Sequence, residues 1–330
     1  MMLLEDSGRS GDKEARNRYD RSVECSKGSL SLDVGGVLKR PGTVAIVGVG
    51  LIGGSIGLAI RARGAADRVV GIDLDPVRLD QASRLGAIDF AAPDLATGVA
   101  EADIAVVCAP VTATVPLVLD ATRFGPESIL IIDVGSTKAR IVEAVEADVQ
   151  ARNRFVGCHP IAGSERRGVE HSRADLFDGR TCALTPTDRT PVERIERARS
   201  FWTTLGATVV EVDPIVHDHQ LALTSHLPHA VASALASTVS PELFSMAAGA
   251  YRDGTRVADA DASLWSGIFL DNRRSLLEAL SAFEAELKAF REALEAGNQE
   301  QLASWWSRGR VCRALYVDPG EQPSKPPGPN

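Results

Sequence analysis

Apolar residues in this chain come first as short continuous runs and later as helical stripes. From residue 43 the runs are TVAIVGVG (43–50), RVVGIDL (68–74), DIAVVCAP (103–110), SILIIDVGS (128–136), RFVGCHP (154–160) and TCALTPT (181–187). Each is short and rich in β-branched residues, with Gly, Pro or Asp at its end, as strands buried on both faces are. Segments of helical composition separate most of them. Such alternation predicts a parallel sheet with helices on both faces.

After about residue 213 the period changes. DHQLALTSHLPHAVASALAS, the stretch 271–295 and NQEQLASWWSRGRVCRALY (298–316) read as helices. In the middle one Leu276, Leu277, Leu280, Phe283, Leu287, Phe290 and Leu294 keep three-four spacing on one face. The pattern predicts four regions: a disordered arm over 1–40, an α/β domain over 41–213, a helical domain over 214–318 and a disordered tail over 319–330. A helical half of this kind often packs against its twin, so a homodimer is expected.

Composition narrows the function. The chain carries 44% hydrophobic and 24% charged residues and a net charge of −8. That describes a globular protein without the basic face that nucleic acid requires. Five cysteines stand at 25, 108, 158, 182 and 312, none in CxxC spacing. They read as reduced cytoplasmic thiols, and neither a disulfide framework nor a zinc site is expected. The few apolar residues at the N-terminus are too short for a signal peptide, and no run suits a membrane span. From the short stretch after the last helical pattern, neither a fused second enzyme nor a C-terminal regulatory domain is expected.

The first candidate chemistry lies in VAIVGVGLIGGSIG. Gly48, Gly50 and Gly53 stand in GxGxxG register, after a predicted strand and at the opening of a predicted helix. The first glycine allows the tight turn, the second lets a pyrophosphate approach the backbone, and the third lets helix and strand pack closely. With Leu51 and Ile52 they form the candidate phosphate-binding turn of a Rossmann-type domain. Asp73 closes the next strand and suits a ribose diol. A carboxylate there repels a 2′-phosphate, so NAD is expected over NADP; Arg78, five residues on, could in principle serve NADP.

Ligands of open parallel sheets bind beyond the carboxyl ends of strands. DVGSTK (133–138), with Ser136, and GCHPIAG (157–163), with His159, fall at such ends. On these residues alone His159 is equally a base or a polar strand end. Together with GVGLIGGSIG, GIDLD, GCHPIAGSERRGVE, DHQLALTSHLPHAVASAL and YRDGTRVADADASLW, they resemble the prephenate/arogenate dehydrogenase family, from about Thr43 into the 310s.

The resemblance implies an NAD-dependent oxidative decarboxylation that feeds tyrosine synthesis. It implies His159 as the base, with Ser136 bonding the substrate hydroxyl or orienting the imidazole. It implies Arg256 as the clasp for the ring carboxylate, with Trp265 nine residues on. His229 and Ser225, from TSHLPH, would meet the substrate side chain. Arg252 would be a second cation and Glu165 a nearby carboxylate. Gly254 departs from the family pattern, which has an aromatic there, and predicts a looser loop beside Arg256. His217, His219, His226 and His229 crowd together, but the resemblance accounts for Asp218 and the HLPH histidines without a metal. His171 has no assigned role.

Prephenate and arogenate differ only in a keto or amino group, and no residue decides between them. Other β-hydroxyacid-type dehydrogenases rely on a lysine in the helical half, and 214–260 contains none. A non-catalytic nucleotide sensor would be expected to lack some of Ser136, His159, His229 or Arg256, and all four are present.

Overall fold

The computed structural model describes residues 40–163 and 166–316. The arm and tail expected at the two ends lie almost wholly outside them, as does Glu165. The first part alternates β1 (Thr43–Val47), α1 (Leu51–Arg63), β2 (Arg68–Ile72), α2 (Pro76–Arg84), β3 (Phe90–Ala91), α3 (Leu95–Val99), β4 (Ile104–Val107), α4 (Val111–Phe124), β5 (Leu130–Asp133), α5 (Ala139–Glu146), α6 (Val149–Arg152) and β6 (Phe155–Val156). These six strands form one parallel sheet in the order β3-β2-β1-β4-β5-β6. The order reverses between β1 and β4, and a crevice opens there beyond the strand ends.

The central strands β1, β4 and β5 are buried on both faces, as their unbroken apolar runs require, while β3 at the edge is exposed. Val44 and Ile46 of β1 enter the core on one side, with α1. Ala45 and Val47 enter the core on the other, with α3, α4 and α5.

The sequence pattern carries too many strands into this sheet. The run 154–160 divides at Gly157. β6 stays in the main sheet, and β7 (Cys158–Pro160) starts a second one with β8 (Thr181–Leu184) and, after α7 (Val192–Thr204), β9 (Thr208–Glu211). β7 and β8 are antiparallel. The cause is local. The side-chain carboxylate of Asp133 in β5, in place of a main-chain carbonyl, accepts the Cys158 N–H at 2.9 Å, and Gly157 C=O accepts the Thr185 N–H at 2.8 Å. Two short strands, β3 and β9, were not expected.

The helical part runs α8 (Pro214–Leu221), a wide π turn (Ala222–His226), α9 (Leu227–Ser237), α10 (Gly249–Thr255), α11 (Ala262–Asp271), α12 (Arg273–Glu295) and α13 (Gln299–Leu315). Gly254 sits inside α10, not in a loosened loop. The helical part docks on the start of α5: Asp218 accepts from the N–H groups of Lys138 and Ala139, and Thr137 donates to Asp271 at 2.6 Å. Among the described residues no helix is long and apolar enough to cross a membrane.

Candidate active site

The glycine turn has the shape that a phosphate site needs. Gly48 adopts φ 96°. A Cβ there would stand 2.6 Å from the Cys108 carbonyl oxygen, so only glycine fits. A Cβ on Gly53 would stand 2.1 Å from the Gly48 carbonyl oxygen, which shows how closely α1 packs on the turn. Gly50 has nothing within 4 Å of its Cβ position and lines the cleft with Leu51, Ile52 and Gly53. Space therefore exists at the α1 N-terminus, where free N–H groups and the helix dipole favour an anion. Asp73 underpins the turn by accepting the Val49 N–H at 2.9 Å. Its other oxygen accepts from the Asp75 N–H at 2.9 Å and from Arg78 at 3.3 Å.

His159 ends a buried chain of hydrogen bonds. Its Nδ1 lies 2.9 Å from Nε2 of His217, whose Nδ1 lies 2.8 Å from Oδ1 of Asp218. Asp218 is fixed in turn by the Lys138 N–H at 2.7 Å and the Ala139 N–H at 2.9 Å, at the positive end of α5. These partners decide both tautomers. A carboxylate only accepts, so His217 Nδ1 carries a proton. A neutral His217 then accepts at Nε2 from the His159 Nδ1–H. That leaves the His159 Nε2 lone pair free. His159 is only 8% exposed. Burial above all, then His217, Lys138 and His226, holds its imidazole well below the ordinary histidine range. The ring partner is therefore His217, not Ser136 as the sequence suggested, and Ser136 lines the cleft nearby.

The helix that carries His217 also carries Leu221, Ser225 and His229 into the cleft. A regular α-helix turns about 100° per residue, so these four positions would spiral away from one another. The π turn at 222–226 takes in one extra residue. That restores His217, Ser225 and His229 to within about 20° of one line along the helix. His229 donates through Nδ1 to the Ser225 carbonyl at 2.9 Å and stacks on Trp265 at 3.6 Å between ring centroids. Burial lowers its pKa. His226 points the other way, into the core. Its Nδ1 meets the Asn272 amide at 3.1 Å, and burial pushes its pKa down to about 4.

Together these residues line one cleft of about 1150 Å³. It holds His159, Ser136, Ser225, His229, Arg256 and Trp265, with the glycine turn at its other end. Among the described residues, Arg252 and Asp73 fall outside it: Arg252 is 79% exposed and pairs with Asp253, and the buried carboxylate of Asp73 is turned under the glycine turn. Glu165 lies outside the described residues. Other cations line the cleft that the sequence did not single out: Arg166, Arg167 and Arg180. Arg167 pairs with Asp261, the N-cap of α11, and so joins the loop after β7 to the helical part. The doublet in SERRGVE was the available signal for two of these arginines.

Known proteins resemble this chain over most of its length. Residues 56–211 match the family model described as prephenate dehydrogenase, nucleotide-binding domain, and residues 213–308 match prephenate dehydrogenase, dimerization domain. A prephenate dehydrogenase of Bacillus subtilis is 33% identical over 278 residues, covering 82% of this chain and 75% of that one. A cyclohexadienyl dehydrogenase of Zymomonas mobilis is 33% identical, covering 83% of this chain and 96% of that one. The crystal structure of a prephenate dehydrogenase from Aquifex aeolicus, in complex with hydroxyphenyl propionate and NAD+, is similar with a TM-score of 0.78. It is 33% identical, with 83% of this chain and 97% of that one covered.

Proposed function

The chain belongs to the prephenate dehydrogenase family, and from that premise we propose that it converts prephenate to 4-hydroxyphenylpyruvate by NAD-dependent oxidative decarboxylation. The glycine turn, with open space at Gly50 and Asp73 beneath it, fits a dinucleotide. Bound NAD would supply the hydride acceptor. The chain's own residues do the rest. His159 Nε2 takes the hydroxyl proton as hydride leaves the carbinol carbon. Arg256 holds the ring carboxylate, which a guanidinium can clasp with two parallel bonds. Loss of CO₂ returns an electron pair to the same ring oxygen, which recovers its proton from His159. Ser136 serves the hydroxyl, and Ser225, His229 and Trp265 hold the side chain.

The observation that carries this reading is the Asp218–His217–His159 chain, which ends in an acceptor nitrogen beside the cleft. Positioned proton transfer of this kind contributes roughly 10²–10⁴-fold. A homodimer formed through the helical part, in the cytoplasm, belongs to the same reading, and Arg252 is then available to a partner's site.

A second reading, use of arogenate as well, has its own support. His229 gives its Nδ1 proton to Ser225, so a neutral His229 offers Nε2 as an acceptor, which suits an ammonium group. The Zymomonas relative is named for both substrates' class. The test is cofactor reduction with prephenate and arogenate side by side, each with NAD and NADP. Prephenate with NAD is expected to be the most efficient pair. No turnover with either substrate would defeat the proposal.

A further inference from the structure

Lys138 takes no part in the chemistry described so far, yet it is fully buried. So is Asp133, the carboxylate that it pairs with. Replacing a buried ion pair by apolar side chains of similar size is often neutral or stabilising, so stability alone is a weak reason for this pair.

The contacts of Lys138 lead in two directions, and both end at His159. Its ammonium holds Asp133 Oδ2, and Asp133 Oδ1 accepts the N–H of Cys158, the residue joined to His159. Its own main-chain N–H holds Asp218, which orients His217, which orients the His159 ring. The packing around the pair is tight. A Cβ on Gly135 would stand 2.9 Å from Asp133 Oδ2 and 3.2 Å from Lys138 Nζ. A Cβ on Gly157 would stand 3.4 Å from Lys138 Cδ.

We infer that Lys138 is a positioning residue for the dehydrogenation, one residue that sets both the place of the His159 main chain and the orientation of its ring. It is fully buried and does not line the cleft. The inference rests on reading His159 as the base. Charge adds to position. The titratable groups around the imidazole are His217 and Asp218 from α8, His226 from the π turn, Lys138 and Asp133 from the β5–α5 junction, and the thiols of Cys158 and Cys182 from the second sheet. Lys138 is the fixed cation among them. After burial and His217, it is the next influence that disfavours an imidazolium at His159.

The test compares variants of the full chain. Asp133→Asn with Lys138→Met removes both charges, so that neither is stranded. Lys138→Arg keeps the cation. For the double variant we expect unchanged NAD binding by tryptophan fluorescence and little change in KM. Its kcat should fall roughly ten- to a hundredfold, and the acid limb of its pH profile should rise by about one unit. Lys138→Arg should lower kcat but leave the limb where it is.

A folded double variant with the parent kcat and limb overturns the inference. So does a limb that moves equally in Lys138→Arg. If the double variant does not fold, Lys138→Arg decides: a reduced kcat with the parent limb supports positioning, and parent values throughout make the pair structural only. His159→Asn, measured alongside, keeps the two readings apart. Retained turnover there defeats the base assignment itself, whatever the Lys138 variants do.

Discussion

The two parts of the molecule bury their apolar residues very differently. In the sheet, Leu130, Ile131 and Ile132 of β5 are all wholly buried. In the helices, Leu277, Leu287 and Leu294 of α12 are 55%, 46% and 57% exposed, and Trp306 of α13 is 71% exposed. Within this chain α12 buries only two alanines, and α13 buries nothing fully. The central strands of the α/β part are covered within it. The helical part carries a stripe that needs cover, in keeping with its match to a dimerization domain. The division extends to the proposed chemistry. The base and the nucleotide turn come from the first part, and most of the substrate's grip comes from the second.

That division can be tested most severely at His159. His159→Asn is expected to lower kcat by about 10²–10⁴-fold while NAD binding, read by fluorescence, stays as it was. Arg256→Ala should act on the other side of the division. It should raise KM for prephenate by roughly ten- to a hundredfold, the worth of a charge-assisted contact, with a smaller effect on kcat. An unchanged KM would remove Arg256 from the site.

Leu277→Glu with Leu287→Glu should shift the mass in solution toward the monomer, measured by light scattering, with the α/β part still folded. A mass that does not change would mean that the stripe is covered in some other way.

The smallest effect expected is one of acidity. His226 ionises at about 4 in the fold, against 6.5 ordinarily. Above pH 6.5 both folded and unfolded chains hold it neutral, and stability is full. As pH falls below 6.5 the unfolded chain takes up a proton that the fold refuses, so stability declines until about pH 4. Buried His159 acts in the same direction. Thermal unfolding from pH 7.5 down to pH 5 should show Tm falling, and His226→Asn should flatten the fall. A parent Tm independent of pH over that range would contradict the burial of these rings.

Much of the first part was legible in the sequence because its signals are local. A glycine turn between strand and helix, or a continuous apolar run, is decided by neighbours in the chain. The second sheet was not legible. What ends β6 is the carboxylate of Asp133, 25 residues away from the N–H that it captures, and no period announces that. β3 has two residues, too few to show a pattern. His217 as the partner of His159 lies 58 residues along the chain. Its side chain reads from sequence as one of four crowded histidines. Lys138 closes DVGSTK, where the sequence drew attention only to Ser136. Only the fold shows that its main chain and side chain hold different carboxylates. Ser136, His159, Ser225, His229, Arg256 and Trp265 do converge on one cleft, and their roles there are what the variants above will test.

Deleting one residue from the wide turn at 222–226 would give a more regular helix and leave everything beyond it facing as it does now. Tightening the same turn at constant length would unscrew the far end by about 100° and carry His229 away from His217. The wide winding itself, at the present chain length, therefore keeps this stretch in register. A stabilising redesign that simply favours α-winding there would yield a sturdier helix and a blunted enzyme.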